Sequence, residues 1–97
     1  MESSQSFSAP PHGISPAALA GVRVVEMGQL IAGPFCGKTL GEFGADVIKI
    51  EAPETGDPLR NWRLIKEGTS VWWQVQSRNK RSVALDLRQK EGQAIAR

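Results

Sequence analysis

Ninety-seven residues suffice for one small domain, which would bury roughly 60–65% of its unfolded surface. The composition, 40% hydrophobic and 23% charged, is that of an ordinary globular chain. It excludes a membrane-spanning helix, which needs a run of about 18 apolar residues, and the N-terminus has neither the basic nor the apolar stretch of a secretory signal.

The lone cysteine, Cys36, cannot form an internal disulfide and points to a reducing compartment, the cytoplasm. The net charge of +2 hides an asymmetry. Residues 1–57 carry three basic and seven acidic side chains, whereas residues 58–97 carry nine basic and three acidic. A basic second half suits a polyanion such as nucleic acid, a phosphorylated cofactor or an acidic partner surface, and a solvated basic face accounts for it equally well.

In chain order, residues 1–18 are rich in Ser, Pro and Ala without apolar periodicity and read as a disordered leader. His12 falls within it beside two prolines and is incidental. "VRVVEM" (22–27), bounded by Gly21 and Gly28, is a short β-branched run that predicts a buried strand. The next segment predicts a helix. Pro34 suits its first position, because the missing N–H costs nothing there. Phe35, Thr39, Leu40 and Phe43 form its inward face, and Gly37 and Gly41 leave a smooth strip for close backbone approach. Gly44 closes the helix as a left-handed cap.

"DVIKIEA" (46–52) alternates and predicts a second strand, giving a βαβ unit with parallel strands within about 30 residues. "PETGDP" (53–58) is turn chemistry, and "LRNWRLIKEGTS" reads as loop. "VWWQVQSRN" (71–79) leans towards a short helix, "RSVALDL" (81–87) alternates as a third strand, and "RQKEGQAIAR" opens a further helix. The fold class is therefore α/β, an open, Rossmann-like parallel sheet in the order β-α-β-α-β-α.

Two nucleotide-binding motifs are imitated and neither holds. "AGPFCGKT" (32–39) resembles a phosphate-binding loop with Lys38 on phosphate and Thr39 on magnesium. A true loop follows its strand directly and opens the helix at the Gly-Lys-Thr triplet. Here the strand ends four residues early, and Pro34 deletes a donor within the loop. Lys38 is then a solvent-facing helix lysine and Cys36 a small buried hydrophobe. The dinucleotide layout would put Glu51 on a ribose hydroxyl, but Gly28 and Gly33 lack the required spacing. Glu51 reads equally as a carboxylate paired with Lys49 or an arginine.

Three blocks arrive in order: A-G-P at 32–34, G-A-D-V-I-K-I-E at 44–51 and N-K-R-S-V-A-L-D-L at 79–87. Together they make residues 19–97 similar to the N-terminal part of family III (CaiB/BaiF) CoA-transferases. The resemblance implies a CoA-binding, Rossmann-like large domain of which this stretch is the incomplete N-terminal portion. It also implies an interlocked homodimer, and transfer of CoA from an acyl-CoA to a free carboxylic acid. An aspartate that forms an anhydride and then a thioester carries that reaction. By the family's layout this aspartate lies beyond residue 97, so none of the residues here is catalytic and the chain alone is expected to be inactive. No metal, nucleic acid or membrane is implied.

The resemblance places CoA against Leu30, Ile31 and Ala32 after the first strand, and against Leu85, Asp86, Leu87 and Arg88 at the end of the third. Some relatives carry glutamine where Ile31 stands and arginine where Ala52 stands. Arg78, Lys80 and Arg81 are candidate phosphate contacts, and solvated or carboxylate-paired side chains are the plainer reading. Trp72 and Trp73 read as core or interface residues rather than a base-stacking platform. α-Methylacyl-CoA racemases share "GPFC" and the third block. The segment 64–76, usually shortened in racemases, favours the transferase. A P-loop nucleotide-binding protein and a non-catalytic fragment are the remaining alternatives.

Overall fold

A computed structural model describes residues 17–97. Three strands, β1 (Arg23–Glu26), β2 (Asp46–Glu51) and β5 (Lys80–Ala84), form a parallel sheet in the order β1-β2-β5. Helix α1 (Ala32–Glu42) connects β1 to β2. A 3₁₀ turn (Pro58–Asn61), a two-stranded hairpin of β3 (Ile65–Lys66) and β4 (Thr69–Ser70), and helix α2 (Val71–Gln76) lie between β2 and β5. Helix α3 (Lys90–Ala96) follows β5. The expected parallel α/β order is present, with the hairpin added. Of the leader assigned to residues 1–18, only Ala17 and Ala18 are among the described residues. They belong to a turn in which Ala20 N–H donates to the Ala17 carbonyl at 3.0 Å.

The β1-β2 register pairs Val24 with Val47 and Glu26 with Lys49, and the β2-β5 register pairs Lys49 with Ser82 and Ile50 with Val83. Because side chains alternate along each strand, Val24, Glu26, Val47, Lys49, Glu51, Lys80 and Ser82 share one face. That face lies beneath α1. A side chain at Gly37 would collide with Glu26 Oε1, and one at Gly41 would touch Val47. The glycine strip read from the sequence is therefore the helix's contact with the sheet.

The rest of α1 differs from expectation. Phe35 and Phe43 stand 54% and 56% exposed, because the glycines rather than the phenylalanines face the strands. Cys36 is exposed for the same reason. The helix begins at Ala32, so Pro34 occupies the third helical position, still within the first turn where backbone N–H groups have no intrahelical acceptor. Lys38 does not face solvent: its side chain lies against Phe35 and 3.8 Å from Glu42. Gly44 ends the helix as expected. At φ 104° it donates to Gly41 O, while Ala45 N–H donates to Leu40 O, the paired closure of a Schellman motif.

β5 stops three residues short of the expected 81–87. Leu85 N–H still reaches Glu51 O at 3.0 Å, but β2 has ended there and Pro53 lies in the turn beyond it. Asp86 instead accepts the Arg88 backbone N–H and starts a turn. Between β2 and β5, the stretch read as loop contains the hairpin, whose two loop residues Glu67 and Gly68 both have positive φ. Ser70 caps α2 by accepting Trp73 N–H and donates to Trp62 O.

Candidate functional site

Parallel strands place their C-terminal ends together, and there the loops after β1, β2 and β5 surround a crevice of about 230 Å³. Leu85, Asp86, Leu87 and Arg88 line one wall, and Met27 and Gln29 line the opposite one. The structure thus brings the whole 85–88 segment to the crevice. Leu30, Ile31 and Ala32 are not among its lining residues. They form the adjoining turn into α1, with Ile31 and Ala32 exposed and Leu30 half-buried. Met27 and Gln29 are the crevice residues that sequence reasoning missed on that side. Their only signal was position, immediately after a strand end.

The walls are chemically distinct. Met27, Leu85 and Leu87 supply apolar surface suited to a flat heteroaromatic ring. Arg88 is 88% exposed at its side chain and forks onto Asp86 at 3.0 and 3.2 Å. The Arg88 hydrogen bond holds the Asp86 carboxyl below its usual range, and the same bond raises Arg88. Such a pair offers hydrogen-bond donors on the guanidinium and acceptor oxygens on Asp86, suited to a ribose hydroxyl or an exocyclic amine. Among the described residues no group of three or more His, Cys, Asp or Glu side chains gathers to hold a metal.

Behind the crevice lies a buried charge network. Lys49, 1% exposed, sits 2.6 Å from Glu26 Oε2, 2.8 Å from Asp57 Oδ2 and 3.2 Å from Gly28 O. Lys80 reaches Glu26 Oε1 at 2.7 Å and Pro34 O at 2.8 Å. Two cations and two anions balance. Burial pulls Lys49 down, but hydrogen bonds to Asp57 and Glu26 outweigh it and hold the ammonium above the usual lysine range. Burial likewise works to raise Asp57, and its bonds to Lys49 and to backbone N–H groups keep it low. Lys80 is pushed below its ordinary value by burial.

A second cluster abuts the first. Glu51 accepts Arg60 through both oxygens at 2.7 and 2.8 Å, the Asp57 N–H at 2.8 Å and the Ser82 hydroxyl. The Arg60 bond above all lowers the Glu51 carboxyl to about 2. Its partner is an arginine, one of the two sequence readings for this residue. Arg60 also stacks over Trp73, 4.0 Å from the ring centre, and Trp62 meets Trp72 edge-on at 5.5 Å. The tryptophans are packed against this arginine and each other.

The basic cluster 78–81 is engaged by carboxylates. Arg78 lies 3.5 Å from Glu42, Lys80 is in the buried network, and Arg81 grips Asp46 at 2.6 and 2.8 Å. Its residues stand at and before the N-terminal end of β5, opposite the crevice. Arg78, Lys80 and Arg81 are thus paired with carboxylates, the plainer of the two sequence readings. Asp46 and Asp57 are similarly committed to cations, and Asp86 to Arg88, so no described aspartate is free.

Comparison with known proteins agrees with the parallel α/β fold. Residues 19–97 match CoA-transferase family III, and the chain belongs to that family. It is 52% identical over 83 residues to the succinyl-CoA–D-citramalate CoA-transferase of Chloroflexus aurantiacus, covering 84% of this chain and 21% of that protein. It is 38% identical over 86 residues to the succinate–glutarate CoA-transferase of Agrobacterium fabrum, covering 81% and 22%. A CaiB/BaiF family protein of Brucella suis superposes with a TM-score of 0.72 at 40% identity, over 84% of this chain and 22% of that one. The chain thus spans about a fifth of the length of the curated relatives it matches.

Proposed function

We propose that this chain forms the coenzyme A side of an enzyme that moves CoA from an acyl-CoA to a free carboxylic acid. The observation that carries the reading is the crevice at the shared C-terminal end of three parallel strands, in a chain of CoA-transferase family III. Leu85, Leu87 and the Asp86–Arg88 pair receive the nucleotide end of CoA. Leu30, Ile31 and Ala32 line the neighbouring stretch, where Gly28 and Gly33 approach so closely that a side chain on either would meet the other's backbone. Succinyl-CoA is the donor we favour, because the relatives named above act with succinyl-CoA or succinate.

The carrying aspartate belongs to sequence following Arg97 in the relatives' layout, consistent with the commitment of Asp46, Asp57 and Asp86 to cations. Its carboxylate attacks the thioester carbonyl and expels CoA thiolate, leaving a mixed anhydride. The thiolate then attacks the aspartyl carbonyl, releasing the donor acid and leaving CoA on the enzyme as a thioester. The acceptor carboxylate reverses these two steps and departs as its own CoA thioester, which regenerates the aspartate. Homodimerisation and a cytoplasmic setting belong to the same proposal, supported by the family resemblance and the lone Cys36. Among the described residues no helix is long and apolar enough to cross a membrane.

The test uses the polypeptide that carries this chain, succinyl-CoA, a 2-methyl-branched acyl-CoA and isotopically labelled dicarboxylic acids in D₂O, with mass spectrometry of the recovered thioesters. Label appearing in an acyl-CoA is the expected result. Deuterium at the α-carbon of a branched acyl-CoA without label exchange would establish the racemase reading instead.

A further inference from the structure

Leu30 holds φ at 63°, a left-handed conformation that a branched apolar residue does not adopt unless its surroundings impose it. What imposes it is visible. The Leu30 N–H donates to Asp57 Oδ1 at 3.0 Å, and the same oxygen accepts Leu59 N–H at 2.9 Å. Asp57 is held at two further points. Lys49 meets its other oxygen at 2.8 Å, Glu51 takes the Asp57 backbone N–H at 2.8 Å, and the side chain is 1% exposed. Lys49 further binds Gly28 O at 3.2 Å, two residues before Leu30. Two neighbouring charged residues of β2, Lys49 and Glu51, thereby tie the loop after β2 to the turn after β1.

We propose that Asp57 is a positioning residue for CoA binding: its Oδ1 holds Leu30 in the left-handed conformation that shapes the turn Gly28–Ile31 and presents Gln29 to the crevice. Asp57 itself does not touch CoA. Its negative charge matches Lys49, and its acceptor oxygen shapes the turn. The two roles separate in mutants. The inference rests on the CoA-binding reading above.

The experiment removes the Lys49 ammonium in both arms so that no charge is stranded. Asp57→Asn with Lys49→Met keeps an acceptor for Leu30 N–H, and Asp57→Ala with Lys49→Met does not. Both retain the balanced Glu26–Lys80 pair. The readouts are CoA affinity by calorimetry, hydrogen exchange of the Leu30 amide against that of the core amides of Val47 and Ile50, and tryptophan fluorescence to report the 3₁₀ turn. The expected result is that the alanine variant binds CoA about tenfold more weakly than the asparagine variant. Leu30 exchange should be faster by a similar factor, with Val47 and Ile50 unchanged.

Equal CoA affinity in the two variants would overturn the proposal, as would loss of affinity with Leu30 still protected. If the double alanine variant does not fold, Asp57→Asn with Lys49→Met is compared with the parent. Retention of Leu30 protection with CoA affinity within threefold supports the proposal, and lost affinity with retained protection overturns it. Absence of CoA binding by the unsubstituted protein would instead remove the functional reading, and is seen before any variant is made.

Discussion

Under α1 the sheet presents Glu26, Lys49 and Lys80, charged side chains sealed from water, whereas on its other face Val25 and Val83 stand 46% and 38% exposed. The usual arrangement would put the apolar side chains under the helix. A buried ion network is weak evidence for stability, since desolvation offsets much of the attraction, while breaking one partner is costly. Its use here is placement. The network joins the ends of β1 and β2, the start of α1 and the loop carrying Asp57, and the residues that follow β1 and β2 line the crevice. The opposite face has simpler contacts, with Arg23, Arg81 and Asp46 paired near solvent at its lower edge.

The contrast between the faces should break most sharply at Lys49. Lys49→Met leaves Glu26 one cation short and Asp57 with none, and should lower unfolding free energy by about 3–5 kcal/mol in urea titrations. Val83→Ala on the open face should cost less than about 1.5 kcal/mol, because Val83 is 38% exposed and part of what the substitution removes is already wet. Comparable costs at the two positions would erase the distinction. Gly37→Ala comes next, at about 1–3 kcal/mol, because the new methyl enters the space of Glu26 Oε1. Ala96→Gly, near the end of α3, would serve as a control, with an expected cost below about 1 kcal/mol.

Acid sharpens the comparison through Glu51. Its folded value of about 2 lies below the ordinary 4.5, so its contribution is complete above pH 4.5 and is lost as pH falls towards 2. The loss should be about 2 kcal/mol across that window. Denaturant midpoints between pH 5 and 2.5 read it, and Glu51→Gln should flatten that part of the profile. The smallest effect is expected at the solvent edge, where Asp46→Asn should change stability by no more than about 1 kcal/mol and less at high salt.

The strand-helix-strand frame was legible because its signals are local. β-branched runs lie between glycines, and Gly44 sits where a left-handed residue must close α1. The inward face of α1 was misread because hydrophobic spacing favours phenylalanine, while the sheet beneath is polar and demands glycine. Lys49 and Lys80 could not be recognised as buried, since a lysine in an alternating strand looks the same whether its partner is water or a carboxylate distant in sequence. Asp57 was hidden in turn chemistry. Its importance comes from Leu30, 27 residues away, and no local pattern encodes that contact. The hairpin was missed because Glu67 shares positive φ with Gly68, and glutamate gives no hint of that conformation. The 85–88 wall was found by family resemblance, and its meeting with Met27 and Gln29 by structure.

The most direct measurement of the central claim is hydrogen–deuterium exchange of the polypeptide carrying this chain, with and without saturating CoA. Protection should appear at residues 27–32 and 85–88 together, with the network beneath α1 already protected in both states. Protection confined to the 54–60 loop, or CoA binding that leaves both crevice walls unchanged, would contradict the assignment of this crevice to coenzyme A.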